Sequence, residues 1–161
     1  MLFLGHIGIN AFLASMIFLP VLAFVIGGEL PDVVDKGLFV LGNEFNLFVY
    51  SCSRLIAHTF YFPIIAGLVA FLITRDKKIA LAVGLGSAMH LVEDLHDFIP
   101  LFYPFVRYDF ASFCGDHIKV VFDQYIITTE LIGVALLIFV FRFKEKFSQF
   151  RKAFWKLFKR G

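Results

Sequence analysis

The sequence has few cysteines and little net charge, and both shortages narrow the classes of protein to consider. Its two cysteines, Cys52 and Cys114, form neither a metal-ligand spacing nor a disulfide framework, although they could pair with each other. The formal net charge is only +2, so nothing predicts general binding to nucleic acid. No basic region precedes the first apolar stretch, which argues against a cleaved signal peptide, and we expect Met1 to remain in the mature protein.

Hydrophobic residues, in contrast, make up 60% of the 161 residues, and 23 residues are Phe. The mean hydropathy is +0.83. A soluble domain of this size could not bury so much apolar surface. The composition therefore predicts an all-α protein, a polytopic bundle of membrane helices.

Four apolar stretches are long enough to predict transmembrane helices of about 20 residues each. They run from Ile7 to Gly28, from Arg54 to Thr74, from Lys78 to about Phe98, and from about Gln124 to Phe141. Pro20 interrupts the first stretch, which leaves open whether it forms one span or a hairpin. Residues 36–51 and 100–123 are mixed and aromatic, and we expect them at the membrane interface, the second segment being interfacial or re-entrant.

Two concentrations of basic residues predict the orientation of this bundle. The "RDKK" stretch at residues 75–78 joins the second and third spans, and eight of the 15 Lys and Arg lie between Arg142 and Arg160. Both fall on one side of a four-span bundle, so we expect the C-terminus in the cytoplasm.

The C-terminal residues 144–161 follow the membrane domain, which we assign to residues 1–143. From residue 143 onward Phe recurs at steps of four and three, with Lys and Arg between. This pattern predicts an amphipathic helix that lies on anionic lipid headgroups. A helix packed on a partner protein is the alternative.

Distances counted along the predicted helices from "RDKK" place the isolated polar residues at a similar depth, in one layer in the outer half of the membrane. His58 lies about 25 Å from this stretch along a helix, and His90 and Asp94 lie about 18 and 24 Å from it. We predict a turn within "GGELPDVVDK" after the first span. It places Asp32 and Asp35 at the same outer end of the bundle. Imidazoles and carboxylates are ligands of Zn²⁺, Mn²⁺ and Fe²⁺, and a cation would offset the cost of carboxylates at a bilayer edge. The layer predicts a divalent-metal site, with hydrogen-bonded His–Asp pairs as the simpler alternative.

Four short motifs occur in an order that resembles a known family. They are "GH" at 5–6, "PDVVD" at 31–35, "RLIAH" at 54–58 and "GSAMHLVED" at 86–94, followed by an aromatic stretch with proline. The order is similar to that of the membrane-bound metal-dependent hydrolases. This is a bacterial and archaeal inner-membrane family with a domain of unknown function, likened to zinc-dependent phospholipases C. Leu55 and Thr59 stand where that family usually has Gly and Ser, and "PDVVD" replaces "PDID".

The resemblance implies an inner-membrane hydrolase that uses a divalent metal, Zn²⁺ or else Mn²⁺ or Fe²⁺, on a lipid-like phosphoester. The candidate ligands, for one or two such ions, are His6, Asp32, Asp35, His58, His90 and Asp94. His6 rests on the resemblance alone, and it can reach the others only if the first stretch folds back at Pro20. Arg54 would clamp a phosphate, and an uncoordinated Asp35 or Glu93 would act as the general base.

Two other functions fit the same polar layer, namely a small ion-binding or transporter-like protein and a non-catalytic scaffold. A transporter would need polar residues along its spans towards the cytoplasm. The stretches "FPIIAGLVAFLI" in the second span and "LLIFVF" in the fourth carry none. Glu130, inside the fourth stretch, is either functional or a buried partner of His117 or a threonine pair. The oligomeric state is left open.

Overall fold

The computed structural model describes residues 3–44, 54–108 and 124–158, and these residues form five α-helices and no strand. They are α1 (Phe3–Met16), α2 (Val21–Glu44), α3 (Phe62–Thr74), α4 (Lys77–Glu93) and α5 (Gln124–Phe158). α4 packs against α2 and α3, and α1 packs against α2 and α5. The all-α prediction is confirmed. Both cysteines, His117 and parts of the two predicted interfacial segments lie outside the described residues.

The first apolar stretch forms a hairpin. The chain turns through residues 17–20, where Phe18 has a left-handed φ of 62° and Pro20 has no amide hydrogen with which to continue α1. α2 then packs back along α1, and Ala14 and Phe24 share a buried apolar core. A single straight span is therefore wrong, and the fold-back alternative is the one that the chain adopts.

The turn predicted within "GGELPDVVDK" is also wrong, because these residues continue α2. Pro31 lies inside the helix and is fully buried. Proline removes one helical hydrogen bond, a loss that neighbouring helices can compensate in a membrane bundle. Because the helix is unbroken, Glu29, Asp32 and Asp35 recur at steps of three, and all three are buried.

The second and third apolar stretches form shorter helices than predicted. α3 begins at Phe62 and not at Arg54, with Pro63 in its first turn, where the missing amide hydrogen costs nothing. Residues 54–61 form turns and bends instead. α4 follows after a tight turn within "RDKK" and ends at Glu93.

One described segment, Gln124–Phe143 in α5, is long and apolar enough to cross a membrane. α1 and α3 are apolar but have only 14 and 13 residues. Each is therefore about 20 Å long, against a hydrocarbon core of about 30 Å. Four full-length spans are thus not supported, and the fourth stretch is the one that fits. α5 continues unbroken across residue 143, where we placed the boundary between the membrane domain and the C-terminal tail. The role of the tail at a lipid surface stays a prediction.

Glycines allow the helices to approach until their backbones touch. A Cβ atom on Gly8 of α1 would lie 2.1 Å from the carbonyl oxygen of Gly133 in α5. A Cβ atom on Gly86 of α4 would lie 2.0 Å from the carbonyl oxygen of Phe24 in α2. Small residues at helix crossings are typical of membrane bundles, where close packing stabilises association.

Glu130, the acid inside α5, binds the N-terminal end of α1. Its Oε2 accepts a hydrogen bond from the amide of Leu4 at 2.9 Å, and its Oε1 accepts one from the amide of Gly5 at 3.0 Å. Amides in the first turn of a helix have no partner within that helix, and a carboxylate there also interacts favourably with the helix dipole. These contacts explain an acid in an apolar helix and hold the start of α1 in place.

Candidate metal centre

Four buried side chains from three parts of the chain converge inside the bundle. Asp32 comes from α2, His58 from the turns before α3, and His90 and Asp94 from the C-terminal end of α4. One ligand atom from each residue lies within 4.8 Å of the other three. These are four of the six candidate ligands, and we refer to them together as the centre.

The atoms that face the centre are mostly too far apart for direct hydrogen bonds. His58 Nε2 lies 3.4 Å from His90 Nε2 and 3.6 Å from Asp32 Oδ1. Asp94 Oδ2 lies 3.8 Å from the Nε2 atom of each histidine, and His90 Nε2 lies 3.9 Å from Asp32 Oδ1. A tetrahedron with bonds of about 2.1 Å to a central Zn²⁺ has edges of about 3.4 Å. The donor set and its spacing therefore fit a small divalent cation after a slight contraction.

Asp32 presents one orphaned oxygen to the centre. Its Oδ2 accepts a hydrogen bond from Lys36 Nζ at 2.5 Å. Its Oδ1 is buried and has no hydrogen-bond partner among the described residues. An unsatisfied buried acceptor costs about 1–3 kcal/mol, and more if it is charged. This oxygen is the atom of Asp32 that would bind a cation.

Asp35 lies behind His58 and orients it. Its Oδ2 is 2.8 Å from His58 Nδ1, and because a carboxylate only accepts, Nδ1 donates and Nε2 keeps its lone pair towards the centre. The same carboxylate accepts from the backbone amides of Leu55, Ile56 and Ala57 at 2.6, 3.1 and 3.0 Å. Both oxygens are thus engaged, and Asp35 shapes the turns that carry His58.

Arg54, the candidate phosphate clamp, pairs with two carboxylates beside the centre. Its Nη2 lies 2.9 Å from Asp94 Oδ2 and 3.0 Å from Asp97 Oδ2. Both contacts use one terminal nitrogen, so the remaining N–H groups of the guanidinium bind none of the described residues. The side chain is 20% exposed, which leaves it within reach of an anion from outside.

His6 approaches the centre because α1 folds back. Its Nδ1 binds Glu93 Oε2, and its Nε2 lies 3.4 Å from Asp94 Oδ1. Asn10, one turn further along α1, donates to Glu93 Oε1 at 3.3 Å. The ring of His6 stacks on that of His90 with 4.2 Å between centroids. Glu93, the other candidate base, therefore orients His6 as Asp35 orients His58.

Glu29 and Asn10 are buried polar residues that are not among the predicted site residues. Neither oxygen of Glu29 has a hydrogen-bond partner among the described residues. Glu29 lies three residues before Asp32, a spacing that would indicate a shared helix face. The interpretation of Pro31 as part of a turn concealed this indication. Asn10 is a lone polar residue inside an apolar stretch, and that position alone could have indicated a buried polar contact.

Comparison with known proteins gives one result that covers nearly the whole chain. Residues 1–155 match a family described as YdjM inner membrane protein. No curated protein and no solved structure gives a significant match. The matched range includes every residue of the centre, and it supports the predicted inner-membrane location. The family description names a membrane and no reaction.

Proposed function

The chain belongs to the YdjM inner membrane protein family, and we propose that it is a metal-dependent hydrolase acting on a lipid-like phosphoester. The observation that carries the proposal is the convergence of Asp32, His58, His90 and Asp94 inside the bundle. Two imidazoles and two carboxylates suit Zn²⁺, with Mn²⁺ or Fe²⁺ as alternatives. Such a cation, when bound, lowers the pKa of a water molecule so that it can attack phosphorus at neutral pH.

The residues around the centre would prepare it for this reaction. Asp35 fixes the tautomer of His58, so that Nε2 is available as a ligand. Arg54 holds Asp94 in place and offers its remaining N–H groups to a phosphate oxygen, for which a planar guanidinium is well suited. Because the four donors are buried, bulk water is largely kept from them, which strengthens electrostatic interactions there.

An apolar substrate chain would approach through the loops beside the centre. Residues 54–61 contact the segment 98–108, where the amide of Phe60 donates to the carbonyl oxygen of Leu101 at 2.9 Å. These two segments expose three phenylalanines to the surroundings, Phe60, Phe102 and Phe105. Exposed aromatic rings at a membrane surface suit an acyl or isoprenoid chain. They favour a lipid-like substrate over a small soluble phosphoester.

A transporter that uses the same residues would need a polar path to the other end of the bundle. In the part of the chain that the structure describes, the buried cluster towards the turn at residues 17–20 consists of Ala14, Phe24 and Ala82, with further apolar side chains around it. This composition disfavours a path for ions. A scaffold that binds a metal without catalysis is the second candidate, and activity measurements distinguish it.

Metal analysis of the detergent-purified protein, combined with hydrolysis of phospholipids and isoprenoid phosphates in mixed micelles, tests the proposal. We expect the wild type to carry Zn²⁺, Mn²⁺ or Fe²⁺ and to release phosphate or a phosphorylated headgroup. His58→Ala and Asp32→Asn should lose most of the metal and of the activity. His96→Ala is the matched control, because His96 is exposed and stacks on Tyr125 outside the centre.

Three outcomes separate the possibilities. A wild-type protein that is metal-free and fails to bind any of the three ions would end the hydrolase proposal. Bound metal without hydrolysis of any phosphoester in the panel would favour the scaffold. Equal losses in His58→Ala and His96→Ala would mean that the centre has no special role.

A further inference from the structure

Glu29 is a buried acid whose carboxylate has no hydrogen-bond partner in the described part of the chain. It lies on α2 three residues before Asp32, and only 8% of its surface is exposed. The spacing puts both acids on one face of α2. The preceding residue, Gly28, lies against Asn10 of α1, since a Cβ atom added to Gly28 would be 2.6 Å from Asn10 Nδ2. A carboxylate in such surroundings is costly unless a cation or a proton lies beside it.

His6 presents an unpartnered nitrogen beside Asp94. The residue is fully buried, and because Glu93 accepts from Nδ1, the lone pair of the neutral ring lies on Nε2. Nε2 makes no hydrogen bond with the described residues, and it lies 3.4 Å from Asp94 Oδ1. A lone pair and a carboxylate oxygen repel each other at this distance unless a positive charge lies between them.

Asp94 faces two directions with its two oxygens. Its Oδ2 lies 3.8 Å from the Nε2 atoms of His58 and His90, whereas its Oδ1 faces His6. A carboxylate in this position can bridge two cations about 3.5–4 Å apart, the separation found in two-metal sites. His6 stacks on His90, so the imidazoles that face the two sides of Asp94 are neighbours.

We propose that the chain binds a second divalent cation, with His6 Nε2, Asp94 Oδ1 and the carboxylate of Glu29 as ligands and Asp94 as the bridge. This inference rests on the proposed function, because the second cation lies next to the first. Two cations at this separation stabilise both the attacking and the leaving oxygen of a displacement at phosphorus. Such a pair is compatible with the phosphoester substrate proposed above.

A proton in place of the second cation satisfies fewer of these atoms. A protonated His6 would donate from Nε2 to Asp94 Oδ1 but would leave both oxygens of Glu29 without a hydrogen bond. A protonated Glu29 would leave the lone pair of His6 facing Asp94. A cation among the three groups neutralises both carboxylates and engages the imidazole.

Loading the metal-stripped, detergent-purified protein with Mn²⁺ tests this second site. We expect two Mn²⁺ per chain and an electron paramagnetic resonance spectrum with exchange coupling between neighbouring ions. Glu29→Gln should bind one Mn²⁺ and give an uncoupled six-line spectrum. Glu145→Gln is the matched control, because it removes an exposed acid of α5, and it should bind two coupled ions.

The outcomes distinguish the two proposals. One uncoupled Mn²⁺ in the wild type, lost in Asp32→Asn, would overturn the second site and leave the proposed function intact. No bound Mn²⁺, Zn²⁺ or Fe²⁺ would end both. Two coupled ions in Glu29→Gln would remove Glu29 from the ligand set. If Glu29→Gln does not fold, Glu29→Asp is the substitute, and its shorter side chain should weaken the second binding step alone by at least about tenfold.

Discussion

Three histidines lie in or beside the centre, and two of them are held by a carboxylate on the ring nitrogen that faces away from it. Asp35 holds His58 in this way, and Glu93 holds His6. Such carboxylate–imidazole pairs fix the ring and increase the basicity of the ligand nitrogen. The acids near the centre thus divide into those that face the cation position and those that orient the histidines.

Asp35→Asn tests this division at the level of one side chain. We expect the affinity for Zn²⁺ to fall about 10–100-fold, because an amide can no longer act as a purely accepting partner for His58 Nδ1. Calorimetric titration of metal-stripped protein measures the change. Asp76→Asn is the control, since Asp76 is the exposed N-cap of α4 and Asn caps equally well. An unchanged affinity in Asp35→Asn would contradict the orienting role.

Sequence spacing could predict some of these residues and not others. His90 and Asp94 lie four apart at the end of a regular helix, so their shared face follows from the spacing. His58 reaches the same place through turns and not through the helix that the depth measurement assumed. Glu29 could not be found while Pro31 was interpreted as part of a turn, because a turn removes the helical register that aligns Glu29 with Asp32.

Among the helices, two prolines have opposite effects. Pro20 follows the end of α1, where Phe18 turns the chain with a left-handed φ. Pro31, in contrast, lies within α2 and is enclosed by its neighbours. Both are prolines in apolar surroundings, so the local sequence does not separate them. The tertiary environment decides, because only a packed neighbour can compensate for the lost hydrogen bond.

Gly8→Ala tests the contact between α1 and α5. We expect a loss of about 1–3 kcal/mol in the free energy of unfolding, because the new methyl group would overlap the backbone of Gly133, which cannot rotate away. Thermal unfolding in detergent measures it. Gly37→Ala on α2 is the control, since no atom lies within 4 Å of its added Cβ and Ala favours a helix. Equal melting temperatures would show that the helices separate at little cost.

For the whole molecule, composition was enough to predict an all-α membrane protein but not the number of spans. The length of an apolar stretch indicates a span only if the stretch forms one straight helix. Here the first stretch folds back, and the second begins with turns tied to Asp35. These interruptions of the helices depend on contacts with residues that are distant in the sequence. A hydropathy profile contains no information about such contacts.

The predicted orientation can be tested with two exposed positions, Lys77 at the start of α4 and Leu95 just beyond its end. Cys52 and Cys114 are first replaced by Ser. We expect a membrane-impermeant maleimide to label Leu95→Cys from the outer side of spheroplasts, and Lys77→Cys only after the membrane is opened, because basic residues such as those of "RDKK" favour the cytoplasmic side. Labelling with the opposite preference would reverse the bundle.

The contacts of α1 also have a consequence for synthesis on the ribosome. This helix is made before its partners, since His6 binds Glu93, 87 residues further on, and the amide of Leu4 binds Glu130, 126 residues further on. Until those partners have been translated, a buried imidazole and two helix-end amides have nothing to bind in lipid, which is costly. We therefore expect α1 to reach its final position late, once α5 has been made.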